Sequence, residues 1–256
     1  MSQSLVKTDT LGFRAKIGVL VPFTNTIVQP EYESLKVRGV TNHTARIPNR
    51  PRPTHSDSAY KKAMEEGAVG TEDVIDRLTP LIPNLIILGH SIDSFAGGVD
   101  GAKTLERKLS KHAKICDVIL PSLAVNAALS ALGLDGGKIS ILTPYLRPGG
   151  EQAAEFFEDS GFKVSSLKNL SCKTAIDIAS VTSKESLSYI NEINSDTVDA
   201  IIQVGTNLPF QHIAIEAEKK LKKPVLSINT ATYWYGLRYL GIKDKINHFG
   251  KLFASQ

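Results

Sequence analysis

Two short stretches of this chain carry residues suited to moving protons and holding anionic oxygens. The first is Gly89-His90-Ser91, with Asp93 close behind. An imidazole exchanges a proton near neutral pH, and a carboxylate three residues on could orient it or supply an acid–base group of its own. The second is Gly205-Thr206-Asn207, where a hydroxyl and an amide follow the glycine. Glycine allows close approach of backbone and ligand, and backbone N–H groups at such turns can hold an anion. The plainer alternatives are that His90 only donates a hydrogen bond to a ligand and that Asp93 caps the helix that follows.

Both stretches end short apolar runs, Asn84-Leu85-Ile86-Ile87-Leu88 and Ala200-Ile201-Ile202-Gln203-Val204. A run without alternation suits a strand buried on both faces, the habit of parallel sheets, whose ligands bind just beyond the carboxyl ends of the strands. In chain order, Lys16–Val21 reads as a strand stopped by Pro22, Pro30 as the first turn of a helix, and Val40–Ile47 as a second strand. Asn49–Ser58 is a Pro-rich connector, or a lid. Helical spacing then runs over Tyr60–Leu81 until Pro83. Gly97, Gly98 and Gly101 break the chain before a helix at Lys103–His112, followed by a strand at Ile115–Leu120 and a helix at Ser122–Leu132. After Gly136-Gly137 the order begins again. It gives a strand at Lys138–Leu142, a helix ending at Asp159, a strand at Phe162–Leu167 and a helix at Ser183–Ile193. The strand Ala200–Val204, a helix at Phe210–Leu221 and a strand at Val225–Ile228 complete the series.

An internal repeat matches Pro22 with Pro144, Gly89 with Gly205, and Ser122–Gly133 with Thr230–Gly241. These observations predict an α/β protein of two pseudo-symmetric lobes, each a parallel sheet flanked by helices, with the active site in the cleft between them. Residues 1–120 are expected to form the N-terminal lobe, completed by 230–256, and 121–229 the C-terminal lobe.

The 256 residues carry a mild net charge of +4, with 42% apolar and 22% charged residues. The one dense basic run, Lys219-Lys220-Leu221-Lys222-Lys223, reads as the solvated end of a helix, so no nucleic-acid partner is expected. No apolar run approaches the roughly 20 residues that span a bilayer, and no signal-peptide core opens the chain. A cytoplasmic protein without membrane association is the expectation, as a homo-oligomer. Cys116 and Cys172 lack metal-ligand spacing, and His43, His55, His112, His212 and His248 show none among themselves. No metal and no cofactor are predicted.

The order Val-Pro-Phe-Thr-Asn-Thr after strand one, Gly-His-Ser-Ile-Asp-Ser-Phe after strand three and Gly-Thr-Asn-Leu-Pro in the second half resembles a known group. It is similar to the Asp/Glu racemase superfamily, on the maleate cis–trans isomerase and arylmalonate decarboxylase branch. The similarity runs from about Lys16 to Phe249-Gly250-Lys251-Leu252-Phe253 and includes Thr143-Pro144-Tyr145 and Thr230-Ala231-Thr232-Tyr233-Trp234. The resemblance implies two lobes with a small carboxylate between them, and chemistry by cysteines after the central strand of each lobe. Racemases use both, maleate isomerases use one as a nucleophile, and arylmalonate decarboxylases keep the second as a proton donor. This sequence has Gly89 and Gly205 at those two places.

The resemblance therefore implies a retained carboxylate site and a replaced acid–base group. Its catalytic candidates are His90 and Tyr145. Its substrate-binding candidates are Pro22, Thr24, Asn25, Gly89, Ser91, Gly205, Thr206 and Asn207. A tyrosine after a strand could also simply pack, and Arg46, Arg50 and Arg52 could reach a second anionic group or face solvent. The expected function is a cofactor-independent lyase or isomerase acting on a small carboxylate through an enediolate-like intermediate, without catalytic cysteines. Hydrolysis by a His90-activated water and non-catalytic binding of a small acid are the alternatives.

Overall fold

A computed structural model of the protein describes residues 9–48, 56–59, 62 and 70–255. Two four-stranded parallel sheets form its centre. The first holds β1 (Ala15–Pro22), β2 (Val40–Ile47), β3 (Leu85–Leu88) and β4 (Val118–Ile119), in the order β2-β1-β3-β4. The second holds β5 (Lys138–Thr143), β6 (Lys163–Asn169), β7 (Ala200–Gln203) and β8 (Val225–Ser227), in the order β6-β5-β7-β8. The first strand of each lobe lies between its second and third, so the topology repeats.

Burial explains the strand composition. Every residue of β3 (LIIL) and β7 (AIIQ) is buried, because helices cover both faces and no solvent side remains to be polar. In register, Ile86 of β3 lies between Gly18 of β1 and Val118 of β4. Ile201 of β7 lies likewise between Ser140 and Val225.

The helices whose bounds lie within the described residues are α1 (Val28–Leu35), α2 (Thr71–Leu78), α3 (Gly98–Ala113), α4 (Pro121–Ala131), α5 (Arg147–Asp159), α6 (Ala175–Ala179), α7 (Ser183–Ile193), α8 (Gln211–Leu221), α9 (Ile228–Tyr239) and α10 (Gly250–Ser255). The repeat-related helices α4 and α9 pack on each other, and α9 also lies against β3 and α1 of the first lobe. Among the described residues, no helix is long and apolar enough to cross a membrane.

Several elements differ from the sequence expectation. The helix expected through Leu81 is α-helical to Leu78 and finishes as a 3-10 turn over Thr79–Leu81. Pro80 has no N–H to donate back to Asp76, so the α-helical ladder stops there. The Tyr60 end of that expectation and most of the Asn49–Ser58 connector, with Arg50 and Arg52, lie outside the described residues. The helix predicted from Lys103 begins at Gly98, because Asp159 of α5 accepts the N–H of Val99 (2.8 Å) and caps it from the other lobe. The strand expected over Ile115–Leu120 is only Val118–Ile119, with Cys116 before it. The helix that ends at Asp159 begins at Arg147, with Pro148-Gly149-Gly150 in its first turn.

Candidate active site

The carboxyl ends of four strands converge where the lobes meet. β1 delivers the loop Phe23–Ile27, β3 delivers Gly89-His90-Ser91, β5 delivers Pro144-Tyr145, and β7 leads through Val204 to Gly205-Thr206-Asn207. The side chains cross the lobe boundary. Ser91 Oγ and Tyr145 OH share a hydrogen bond of 2.6 Å. The Thr206 N–H donates to Ser91 Oγ (3.2 Å), and Thr206 Oγ1 donates to the Gly89 carbonyl (3.1 Å). Asn25 Nδ2 reaches Thr206 Oγ1 (3.4 Å), while the Thr26 N–H donates to Asn207 Oδ1 (2.9 Å). Ser91, Tyr145, Thr206, Asn207 and Asn25 are all buried.

Local structure fixes each member. Asn25 Oδ1 accepts the N–H groups of Ile27 (3.0 Å) and Val28 (2.9 Å), holding the start of α1 and leaving its Nδ2 to cross the boundary. The Ser91 carbonyl accepts from Ser94 N–H and Oγ, which sets the turn into a 3-10 helix at Ile92–Phe95. Asn207 Nδ2 donates to the Ala175 carbonyl (2.8 Å).

His90 stands beside this hydroxyl cluster. Its Nδ1 lies 3.2 Å from Asp93 Oδ2, with side-chain exposures of only 15% and 11%. Asp93 sits in the first turn of the 3-10 helix, and the N-cap position of the helix that follows is Gly97. The cluster itself is made of hydroxyls and amides. Arg46, a candidate for a second anion, instead donates to the carbonyls of Pro22, Phe23 and Asn25 and braces the β1 loop. Pro22 is the buried end of β1, and Thr24 lies exposed in the loop beyond it.

The two glycines differ from ordinary turn glycines. A Cβ at Gly89 would lie 2.8 Å from both the Leu20 carbonyl oxygen and Val21 Cγ1. Gly205 has φ +120°, and a Cβ there would run into the ring of Pro144. Neither backbone has room for a larger side chain without movement.

Both thiols are half-buried, and their pKa values are raised. Burial, then the neighbouring Asp117 carboxylate, pushes Cys116 up to about 11. Burial, then Asp177, raises Cys172 as well. Cys172 is nevertheless closer to the site than its sequence position implied. Its N–H donates to the Pro144 carbonyl (2.9 Å), and the Ser171 N–H to that of Tyr145 (3.2 Å). The segment from Leu170 to Ala175 is thus a wall of the site that sequence reasoning missed. Its signal was the capping box of α6, Thr174 with Asp177.

A sequence model of the arylmalonate decarboxylase family matches residues 64–253. Maleate isomerase of Alcaligenes faecalis is 23% identical over 250 residues, covering 93% of this chain and 96% of the relative. Two solved structures share the fold over 94% of this chain. One is a mutant of Nocardia farcinica maleate cis-trans isomerase with a covalently bound succinylcysteine intermediate, at TM-score 0.82, 20% identity and 98% coverage of that chain. The other is arylmalonate decarboxylase, at TM-score 0.70, 21% identity and 100% coverage of that chain.

Proposed function

The chain belongs to the arylmalonate decarboxylase family, and from that premise we propose that it is a cofactor-independent lyase or isomerase of small carboxylates that works without a catalytic cysteine. The observation that carries this reading is the His90–Asp93 pair, 3.2 Å apart, set beside a buried cross-lobe cluster of neutral donors.

In this reading, a substrate carboxylate takes over the hydrogen bonds that Ser91, Tyr145 and Thr206 now make to one another. Donors fixed in a buried site before the reaction stabilise an enediolate oxygen as charge develops on it. A slight turn of the His90 ring makes its contact with Asp93 a hydrogen bond, fixing the tautomer and leaving Nε2 for the substrate. Catalytic hydrogen bonds often tighten in this way only when substrate is bound. In a decarboxylation, the C–C bond breaks, carbon dioxide leaves, and the electron pair passes into the enediolate. The His90 imidazolium then donates a proton to that carbon and regains one from solvent. In an isomerisation by proton shift, the same imidazole first removes the proton and then gives it back.

The glycine positions support the thiol-free part of the proposal. By position in the strand repeat, Gly89 and Gly205 replace the two cysteines of the superfamily, and neither backbone has space for a Cβ. Cys116 and Cys172 are held as neutral thiols by burial.

The test is incubation in deuterated water with phenylmalonate, maleate and short 2-substituted carboxylates, followed by NMR for carbon dioxide loss, isomerisation or deuterium at the α-carbon. Wild-type protein should catalyse one of these, and the His90→Asn variant should do so about 10²–10⁴-fold more slowly. Tight binding of a carboxylate without any exchange or turnover would replace the enzyme by a small-acid binding protein. That second reading draws on the mutual satisfaction of the Ser91, Tyr145 and Thr206 groups in the free site.

A further inference from the structure

Glu31 links three elements from both lobes through one carboxylate. It lies in the first turn of α1. Its Oε1 accepts the N–H groups of Phe210 and Gln211 (both 3.1 Å), at the amino end of α8. Its Oε2 accepts from Asn229 Nδ2 (2.7 Å) in the first turn of α9. The same Asn229 nitrogen donates to the Thr206 carbonyl (3.0 Å). Two acceptors converge on that nitrogen, which fixes the orientation of the amide. Part of the Glu31 residue is accessible, but its carboxyl is enclosed, and burial raises its pKa against the pull of its three donors.

We infer that Glu31 and Asn229 are positioning residues that clamp Thr206 for its role at the substrate. The inference rests on the reading that Thr206 holds a substrate oxygen. The carbonyl of Thr206 is held by Asn229 on one side, while its N–H and Oγ1 face Ser91 and Gly89 on the other. With both sides tied, the donor that meets the substrate has one orientation. A loss of that tie displaces Thr206 without touching a group in contact with substrate, and a misplacement of about 1 Å is enough to cost on the order of 100-fold in rate.

The chemistry of the contact separates positioning from general support. Glu31→Gln leaves an oxygen for the N–H groups of Phe210 and Gln211 but sets an amide nitrogen against Asn229 Nδ2. Asn229 must then turn or move away, and the Thr206 carbonyl loses its donor. Adding Asn229→Asp restores a donor–acceptor pair between residues 31 and 229, yet still leaves the Thr206 carbonyl without a donor.

The experiment measures melting temperature, amide hydrogen exchange at Thr206 and Asn207, and kcat and KM with the carboxylate that the wild type turns over. It compares the wild-type chain with Glu31→Gln, Asn229→Ala and the Glu31→Gln/Asn229→Asp double variant. The single variants should lower kcat by about 10–100-fold with KM within several-fold, and exchange at Thr206 should rise at temperatures where the fold is intact. In the double variant, melting should recover while kcat stays low. Recovery of kcat together with melting would overturn the inference, as would unchanged exchange at Thr206 in both single variants. If the wild type turns over none of the carboxylates, the proposed function fails by itself, and exchange at Thr206 still decides the clamp.

Discussion

The turn after β3 and the turn after β7 occupy equivalent places in two sheets of identical strand order, yet their chemistry diverges. The first presents His90 backed by Asp93; the second presents Thr206 and Asn207, tied to Asn25, Thr26 and Asn229. One side carries an imidazole and a carboxylate, groups whose chemistry is proton transfer, and the other carries a hydroxyl and an amide, which only donate or accept hydrogen bonds. A duplicated scaffold need not keep duplicated chemistry, and this asymmetry suits reactions with one base on one face of the substrate. Racemisation, which needs a proton-transferring group on each face, is a poor fit.

Removing the imidazole is the sharpest way to break the contrast. His90→Asn should lower turnover by about 10²–10⁴-fold, the usual contribution of a positioned acid or base, with substrate affinity within several-fold. Steady-state kinetics on the authentic substrate decide it. Near-normal turnover would reduce His90 to a ligand-binding donor and make the two turns alike.

The glycines give a second contrast. Gly205→Ala forces an alanine into φ +120° against Pro144 and should cost about 1–3 kcal/mol for the backbone alone. Gly89→Ala keeps an ordinary φ and meets crowding by the Leu20 carbonyl and the side chains of Val21 and Val28, without the backbone strain. Urea unfolding should therefore rank Gly205→Ala as the less stable of the two. The reverse order would mean that the second turn is not the more constrained one.

Tyr145→Phe sharpens the picture on the neutral side. It removes one of the two partners of Ser91 Oγ and should raise the barrier or weaken binding by roughly 0.5–1.5 kcal/mol for a neutral hydrogen bond. A loss as large as that of His90→Asn would make Tyr145 a proton donor in its own right. The smallest effect belongs to the thiols. Replacing Cys116 and Cys172 together by serine should leave turnover largely intact once circular dichroism shows a normal fold. A fall comparable to that of His90→Asn would place the nucleophile on Cys172, the thiol beside Pro144.

The sequence made the strand ends readable because burial on both faces leaves continuous apolar runs such as LIIL, and because His90 and Asp93 interact across three residues. Helix α7 was equally plain, with a capping box of Thr182 and Glu185 at its start. What escaped detection depends on partners far away in the chain. Gly98 and Gly101 looked like breaks because the cap of α3 comes from Asp159 in another helix. Helix α6 spans only five residues, too few for periodicity to show. Nothing in the sequence singled out Glu31, since its partner Asn229 is 198 residues distant. Such contacts arise from the packing of lobes, which local pattern does not encode.

The packing of α9 on β3 and α1 has a consequence for how the protein is made. On the ribosome, the strands and crossover helices of the first lobe emerge well before residues 228–239. Until those residues arrive, part of the apolar surface around β3 lacks its cover. Sheets closed by late, sequence-distant contacts form slowly and expose sticky surface meanwhile. The nascent first lobe is therefore the stage at which chaperone capture or aggregation should concentrate, and release of α9 is the event that ends it.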